Sequence, residues 1–200
     1  MGNIMNINDS IEELLEYLAN SQPIVYPTST LPALGCLPTK EALDNLFKIK
    51  KRPSNMPVSL GVIDLNHVEE IVNFDDFSVE LLNNFPKGSL TLLLPAKKKM
   101  DLRLGGDWIA VRPVINDLAI KLISKSGPLT ATSANLSGKD PQLECRFAAE
   151  ELKLNHNQFV CGSSIGGLPS TLVKVDSEVT VMREGIISRE DVITWSTKMS

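Results

Sequence analysis

A chain of 200 residues with 42 % apolar and 22 % charged residues is long enough to bury one sizeable core and too apolar to be wholly disordered. Its formal net charge of −4 argues against a strongly basic nucleic-acid coat protein. The charge is nevertheless segregated. Three stretches, 48–63, 81–100 and 118–139, hold no acid, and carry Lys48, Lys50, Lys51, Arg52, Lys87, Lys97, Lys98, Lys99, Lys121, Lys125 and Lys139. The acids gather in the first twenty residues and between Asp64 and Glu80, so a positive face on an acidic protein is expected.

The elements follow from periodicity and punctuation. Ser10 and Glu13 form a capping box ahead of Ile11, Leu14, Leu15 and Leu18 at helical spacing. A β-rich run at 23–26 stops at Pro27, and 28–38, with Pro32, Gly35 and Pro38, reads as an ordered loop. Thr39 caps a helix carrying Leu43, Leu46 and Phe47 that ends before Pro53. Strands are expected at 58–63, 90–94 and 109–111, with helical patterns around 68–72 and 79–82 and a helix after Asn116. Further strands fall at 129–131, 159–161, 172–175 and 179–182, and Ser188 caps a last helix. This mixture predicts one α/β domain spanning 1–200, its core at about 10–187.

Several chemistries are excluded or weakly supported. Cys36, Cys145 and Cys161 are odd in number and lack any CxxC, so neither a disulfide framework nor a thiolate zinc site is indicated. With no secretory core and no apolar run near the ~20 residues a membrane helix needs, a soluble cytoplasmic protein is expected. The sequon at Asn135 is idle in that compartment. There is no phosphate-binding GxxxxGK[ST] and no GxGxxG, and His67 and His156 have no ligand-spaced partner. Adjacent acids such as Glu69-Glu70 read as solvated helix faces.

The informative residues sit at strand and helix ends: Thr28-Ser29-Thr30, Lys50-Lys51-Arg52-Pro53, Arg112, Ser133-Ala134-Asn135 and Ser170-Thr171. Short polar side chains and arginine forks gathered at strand ends suit a small polar ligand together with a phosphate chain. Taken singly, each is a weak signal and reads more readily as a turn or a helix-dipole complement.

Their order is more specific. Pro27-Thr28-x-Thr30, Lys50-x-Arg52-Pro53, Gly88-Ser89-Leu90-Thr91, Ala110-Val111-Arg112, Ser133-Ala134-Asn135-Leu136-Ser137-Gly138, Ser170-Thr171 and Arg183-x-Gly185 resemble the YrdC-like family of threonylcarbamoyl-AMP synthases, in its short, single-domain form. The resemblance runs from about Ser21 to Ile187. It implies a twisted, largely parallel, partly mixed sheet flanked by helices, with a concave positive cavity. It also implies the reaction: L-threonine, bicarbonate or CO2, and ATP give threonylcarbamoyl-AMP and pyrophosphate. Mg²⁺ accompanies ATP, with no protein metal ligands. The product would feed threonylcarbamoyladenosine modification of tRNA through a separate transferase complex.

By position, the resemblance assigns Thr30, Arg112, Ala131 and Ser170 to threonine, and Lys50, Arg52, Ser133, Asn135 and Arg183 to ATP. The chain departs from the family where an acid, an aromatic and a glycine are usual, having Ser29, Pro32 and Ala33. Gly61 replaces a common histidine, and Trp108 a small hydroxyl residue. These changes place threonine use in question more than ATP binding. The alternatives are a related carbamoyl-adenylate enzyme with another acceptor, a non-catalytic relative that binds double-stranded RNA or tRNA, or a sensor that kept only the pocket.

Overall fold

The computed structural model of the protein describes residues 7–160, 162–164 and 166–199, with side chains from residue 11 onward. The elements follow as α1 (Ile7–Ala19), β1 (Ile24–Tyr26), β2 (Ala33–Gly35), α2 (Lys40–Lys50), β3 (Ser59–Val62), α3 (Asp76–Asn84), β4 (Leu90–Pro95), β5 (Trp108–Pro113), α4 (Asp117–Ser126), β6 (Leu129–Ser133), α5 (Cys145–Glu151), β7 (Thr171–Val175), β8 (Val179–Arg183) and α6 (Arg189–Met199). Caps account for several helix starts. Asn116 Oδ1 accepts from the Leu118 and Ala119 amides at 3.0 and 3.2 Å, and Ser188 Oγ accepts from the Asp191 amide at 3.1 Å. Thr39 occupies the cap position of α2, but its side chain makes no capping bond. No helix among the described residues is long and apolar enough to cross a membrane.

Four expectations change. Helix α1 already runs from Ile7, so Ser10 lies inside it rather than ahead of it. The loop expected at 28–38 contains β2, whose three residues gain order by pairing with β1 on one side and β6 on the other. The helix expected near 68–72 is a short 3-10 turn at Asn66–Val68. The strand expected at 159–161 reduces to one bridge between Phe159 and Val25, with Cys161 outside the described residues.

All eight strands form one sheet in the order β1-β2-β6-β3-β5-β4-β7-β8. The α/β class with a mixed sheet is as expected, but parallel strands do not predominate. Only β3–β5 and β4–β7 are parallel, and the five other neighbouring pairs are antiparallel. An apolar run marks a strand without marking its direction. Connections as short as that between β7 and β8 can only turn the chain back on itself.

Alternation along the strands divides the core in two. Val25, Leu34, Leu60, Leu92, Val111 and Val173 join a cluster with α2, α3, α5 and α6 residues such as Leu43, Leu81, Ala148 and Val192. Ile24, Tyr26, Ala33 and Leu129 point the other way and join Leu14 of α1 and Leu122 of α4. On that second side, Tyr26 is fully buried and donates its hydroxyl to the Thr130 carbonyl at 2.9 Å. Two glycines make room for its ring. A Cβ on Gly35 would lie 2.5 Å from Tyr26 Cε1 and 2.9 Å from the Thr130 carbonyl oxygen, and one on Gly61 would lie 2.7 Å from the tyrosine oxygen. Burial pushes the phenol well above its ordinary range.

Gly35→Ala should therefore cost about 1–3 kcal/mol by overpacking, measured as a lower midpoint in urea unfolding. Wild-type stability in that variant would show that the tyrosine can move aside.

Candidate functional site

The remaining part of the second sheet face is not covered by helices; it lines a cavity of about 250 Å³. Its side chains come from alternating strand positions, Ser59 of β3, Thr91 of β4, Ala110 and Arg112 of β5, Ala131 and Ser133 of β6 and Leu172 of β7, while Arg183 of β8 joins them through a register shift after Val181 that sets it opposite Leu172. The ladders set them side by side, pairing Ser59 with Ala131, Thr91 with Leu172 and Leu172 with Arg183. Thr30 and Leu31 enter from the loop after β1, Arg52 from beyond α2, and Pro169 and Ser170 from the segment before β7. Of the residues expected from the sequence, Thr30, Arg112, Ala131, Ser170, Arg52, Ser133 and Arg183 meet here. Lys50 and Asn135 lie behind the wall.

Arg112 is held entirely by neutral acceptors. Its Nη2 donates to Ser29 Oγ at 2.9 Å, Thr30 Oγ1 at 3.0 Å and the Gly88 carbonyl at 3.1 Å, and Nε donates to the same carbonyl at 3.2 Å. Ser29 Oγ also donates to the Gly88 carbonyl at 3.2 Å, closing the arrangement. Loss of water lowers the Arg112 pKa to about 10, with Tyr26 opposing and Arg183 adding repulsion. The guanidinium stays charged at neutral pH.

Arg52 and Arg183 carry the same sign to the other parts of the cavity. Arg52 donates to the carbonyls of Met56 and Pro57 at 2.7 and 3.1 Å, and Arg183 donates to the Ser170 carbonyl at 2.8 Å. Desolvation lowers the pKa of both. The hydroxyls of Ser170 and Thr91 are 2.7 Å apart, and Ser59 donates to the Ala131 carbonyl at 2.7 Å. Among the described residues the cavity lining thus has three guanidinium groups, several hydroxyls and no carboxylate.

The spacing of Lys50 and Arg52 is explained by the end of α2. Lys51 adopts a left-handed conformation, with φ 50°, and the Arg52 amide bonds back to the Phe47 carbonyl at 3.0 Å. The reversal sends Lys50 inward and Arg52 toward the cavity. Lys50 is 1 % exposed. Its ammonium donates to the Ser133 carbonyl and, at 2.7 Å, to the Asn135 carbonyl. Burial, with Arg52 adding repulsion and Glu151 opposing, lowers its pKa to about 8.

Ser59, which lines the cavity, was not singled out from the sequence, and Ser29 and Gly88, named there only within motifs, turn out to anchor Arg112. The signal for Ser59 was available: it stands two positions from Gly61 on the same strand face. Trp108 lies two positions beyond Ala110 and outside the cavity, under the Lys174 ammonium at 3.9 Å from its ring centre. The acid-free runs also contribute less than their charge suggested. Lys48, Lys51, Lys87, Lys97, Lys98 and Lys99 are exposed, Lys125 pairs with Glu12, and only Arg52 of those runs lines the cavity as a cation.

Clustered cations without carboxylates repel one another until an anion arrives. Millimolar pyrophosphate should therefore raise Tm by a few degrees, and the double variant Arg52→Ala, Arg183→Ala should lose most of that shift. An undiminished shift would place the anion elsewhere. Lys50 gives a second expectation. Its pKa in the fold lies below the ordinary 10.5, so its destabilising effect is complete below pH 8 and is relieved as pH rises from about 8 to 10.5. Wild-type stability should therefore rise relative to that of Lys50→Met across that window in pH-dependent unfolding; a constant difference would contradict it.

Fold and cavity together give an α/β protein with a cation-rich, hydroxyl-lined hollow on one face of a mixed sheet. The profile of the Sua5/YciO/YrdC family, described as "Telomere recombination", matches residues 16–185, and the chain belongs to that family. A Bacillus subtilis protein named threonylcarbamoyl-AMP synthase is 29 % identical over 197 residues, covering 94 % of this chain and 57 % of its own. A Methanocaldococcus jannaschii protein, named provisionally for the same activity, is 30 % identical over 184 residues, covering 88 % of this chain and 86 % of its own. In structure, the chain resembles Pyrococcus abyssi Sua5, crystallised with L-threonine. The TM-score is 0.82 at 24 % identity, over 94 % of this chain and 57 % of the other.

Proposed function

We propose that the protein is an L-threonylcarbamoyladenylate synthase, making threonylcarbamoyl-AMP and pyrophosphate from L-threonine, bicarbonate or CO2, and ATP. The observation that carries this reading is the convergence of Arg52, Arg112 and Arg183 on one cavity that offers them no carboxylate. The groups that such a reaction brings together there are anionic: a carboxylate, a carbamate and a triphosphate.

In this reading Arg112, fixed by Ser29, Thr30 and Gly88, presents its fork to the threonine carboxylate, with Thr30, Ser170 and the Ala131 backbone beside it. The free amine adds to CO2 with loss of a proton to water, or takes the carboxyl group of bicarbonate with loss of water, and one oxygen of the resulting carbamate attacks the α-phosphorus of ATP. The new P–O bond forms as the bond to the β-phosphate oxygen breaks, and the electron pair leaves on pyrophosphate. Arg52 and Arg183 stabilise that departing charge, with Ser133 on the nucleotide side and Asn135 behind it. Positioning and electrostatics suffice for such a displacement, so no histidine or acid pair is required. Mg²⁺ bound with ATP would share the charge of the phosphate chain. The product would pass to a transferase acting on tRNA.

The test is pyrophosphate release from ATP that requires both L-threonine and bicarbonate; folded protein with Mg²⁺ that releases none would reject the reading. Arg112→Ala should weaken L-threonine binding by about 10- to 100-fold and ATP binding far less. Arg52→Ala should do the reverse. Equal losses for both ligands in calorimetric titrations would overturn the division of the cavity.

A further inference from the structure

The Lys-x-Arg spacing invites the view that both cations touch phosphate, yet the two side chains part at the end of α2. Lys50 spends its ammonium inside the protein, on the Ser133 carbonyl, on the Asn135 carbonyl at 2.7 Å and, more distantly, on Asn135 Oδ1 at 3.5 Å. An ammonium has three donors, so none is left for a ligand. Its backbone serves the same segment, because the Lys50 carbonyl accepts from the Ser137 amide at 3.0 Å. Asn135 completes the closure. Its Oδ1 accepts from Ser133 Oγ at 2.6 Å, and its Nδ2 donates to the carbonyls of Leu136 and Lys139 at 3.0 and 2.5 Å.

Segment 134–139 has no regular secondary structure, so its shape rests on these side-chain bonds together with backbone bonds from the Ala134, Ser137 and Lys139 amides to the carbonyls of Pro32, Lys50 and Leu136. Its first residues continue directly from Ser133, which lines the cavity. We propose that Lys50 is a positioning residue: it fixes the 133–139 turn from behind, and thereby the cavity wall at Ser133, without contacting phosphate itself. Arg52, two residues on, faces the cavity. The consequence for catalysis rests on the synthase reading, whereas the structural claim stands apart from it.

The experiment is amide hydrogen exchange on the ligand-free protein, comparing wild type with Lys50→Met, followed by calorimetric titration of both with ATP. In Lys50→Met the amides of Ser137 and Lys139 should exchange about tenfold faster, while those of β5 change little. ATP affinity should fall with them. Unchanged exchange at 134–139 beside a loss of ATP affinity would mark a direct phosphate contact and overturn the proposal. So would acceleration that is equal throughout a folded variant. Should Lys50→Met fail to fold, Lys50→Gln, which keeps donors on a shorter stem, carries the same comparison. All readouts on the free protein are independent of whether threonine is the acceptor.

Discussion

The arrangement of this protein depends on three arginines that share one sheet face with no carboxylate among them. In water each guanidinium would be solvated; here Arg112 loses much of that water and receives only hydroxyls and a carbonyl in return. Such a group is stable enough to persist and is under-compensated enough to favour an anion. The rest of the fold serves that tension. Strand alternation aims Arg112 to one side, a register shift in β8 brings Arg183 to the same side, the left-handed Lys51 turns Arg52 toward them, and the Gly88 carbonyl restrains the most enclosed of the three.

A second cation makes the contrast. Lys50 is more deeply buried than any of these arginines but is offered backbone carbonyls at bonding distance, so its charge is consumed in holding the chain. Two basic residues separated by a single position therefore divide into one that builds the wall and one that faces what the wall encloses. Tyr26 plays the comparable part in the apolar layer. Its ring fills the space over Gly35 and Gly61, and its hydroxyl closes on Thr130, next to the strand residue Ala131 that lines the cavity.

Much of this was legible in the residues. Helix caps at Asn116 and Ser188, the apolar strands at β3, β4 and β5, and the clustering of Thr30, Arg112, Ser133 and Ser170 follow from local pattern and motif order. What was not legible depends on contacts distant in sequence. Strand β2 is three residues long, too short for a period to register, and is ordered by partners on both sides. Strand direction leaves no mark on an apolar run. The inward course of Lys50 depends on one left-handed residue after it, and the surface course of Lys97, Lys98 and Lys99 on a loop. Charge read along the chain found exposed lysines; the cations of the cavity are instead arginines spread along the chain from Arg52 to Arg183.

The central claim is that one cavity holds the amino acid and the nucleotide together, with charge as the common currency of recognition. A thermal-shift panel with ATP, L-threonine and both addresses it most directly. Stabilisation by the pair should exceed the sum of the separate shifts, because ligands in contact share one enclosed, water-poor site. Strictly additive shifts would contradict it, placing the two ligands in independent sites.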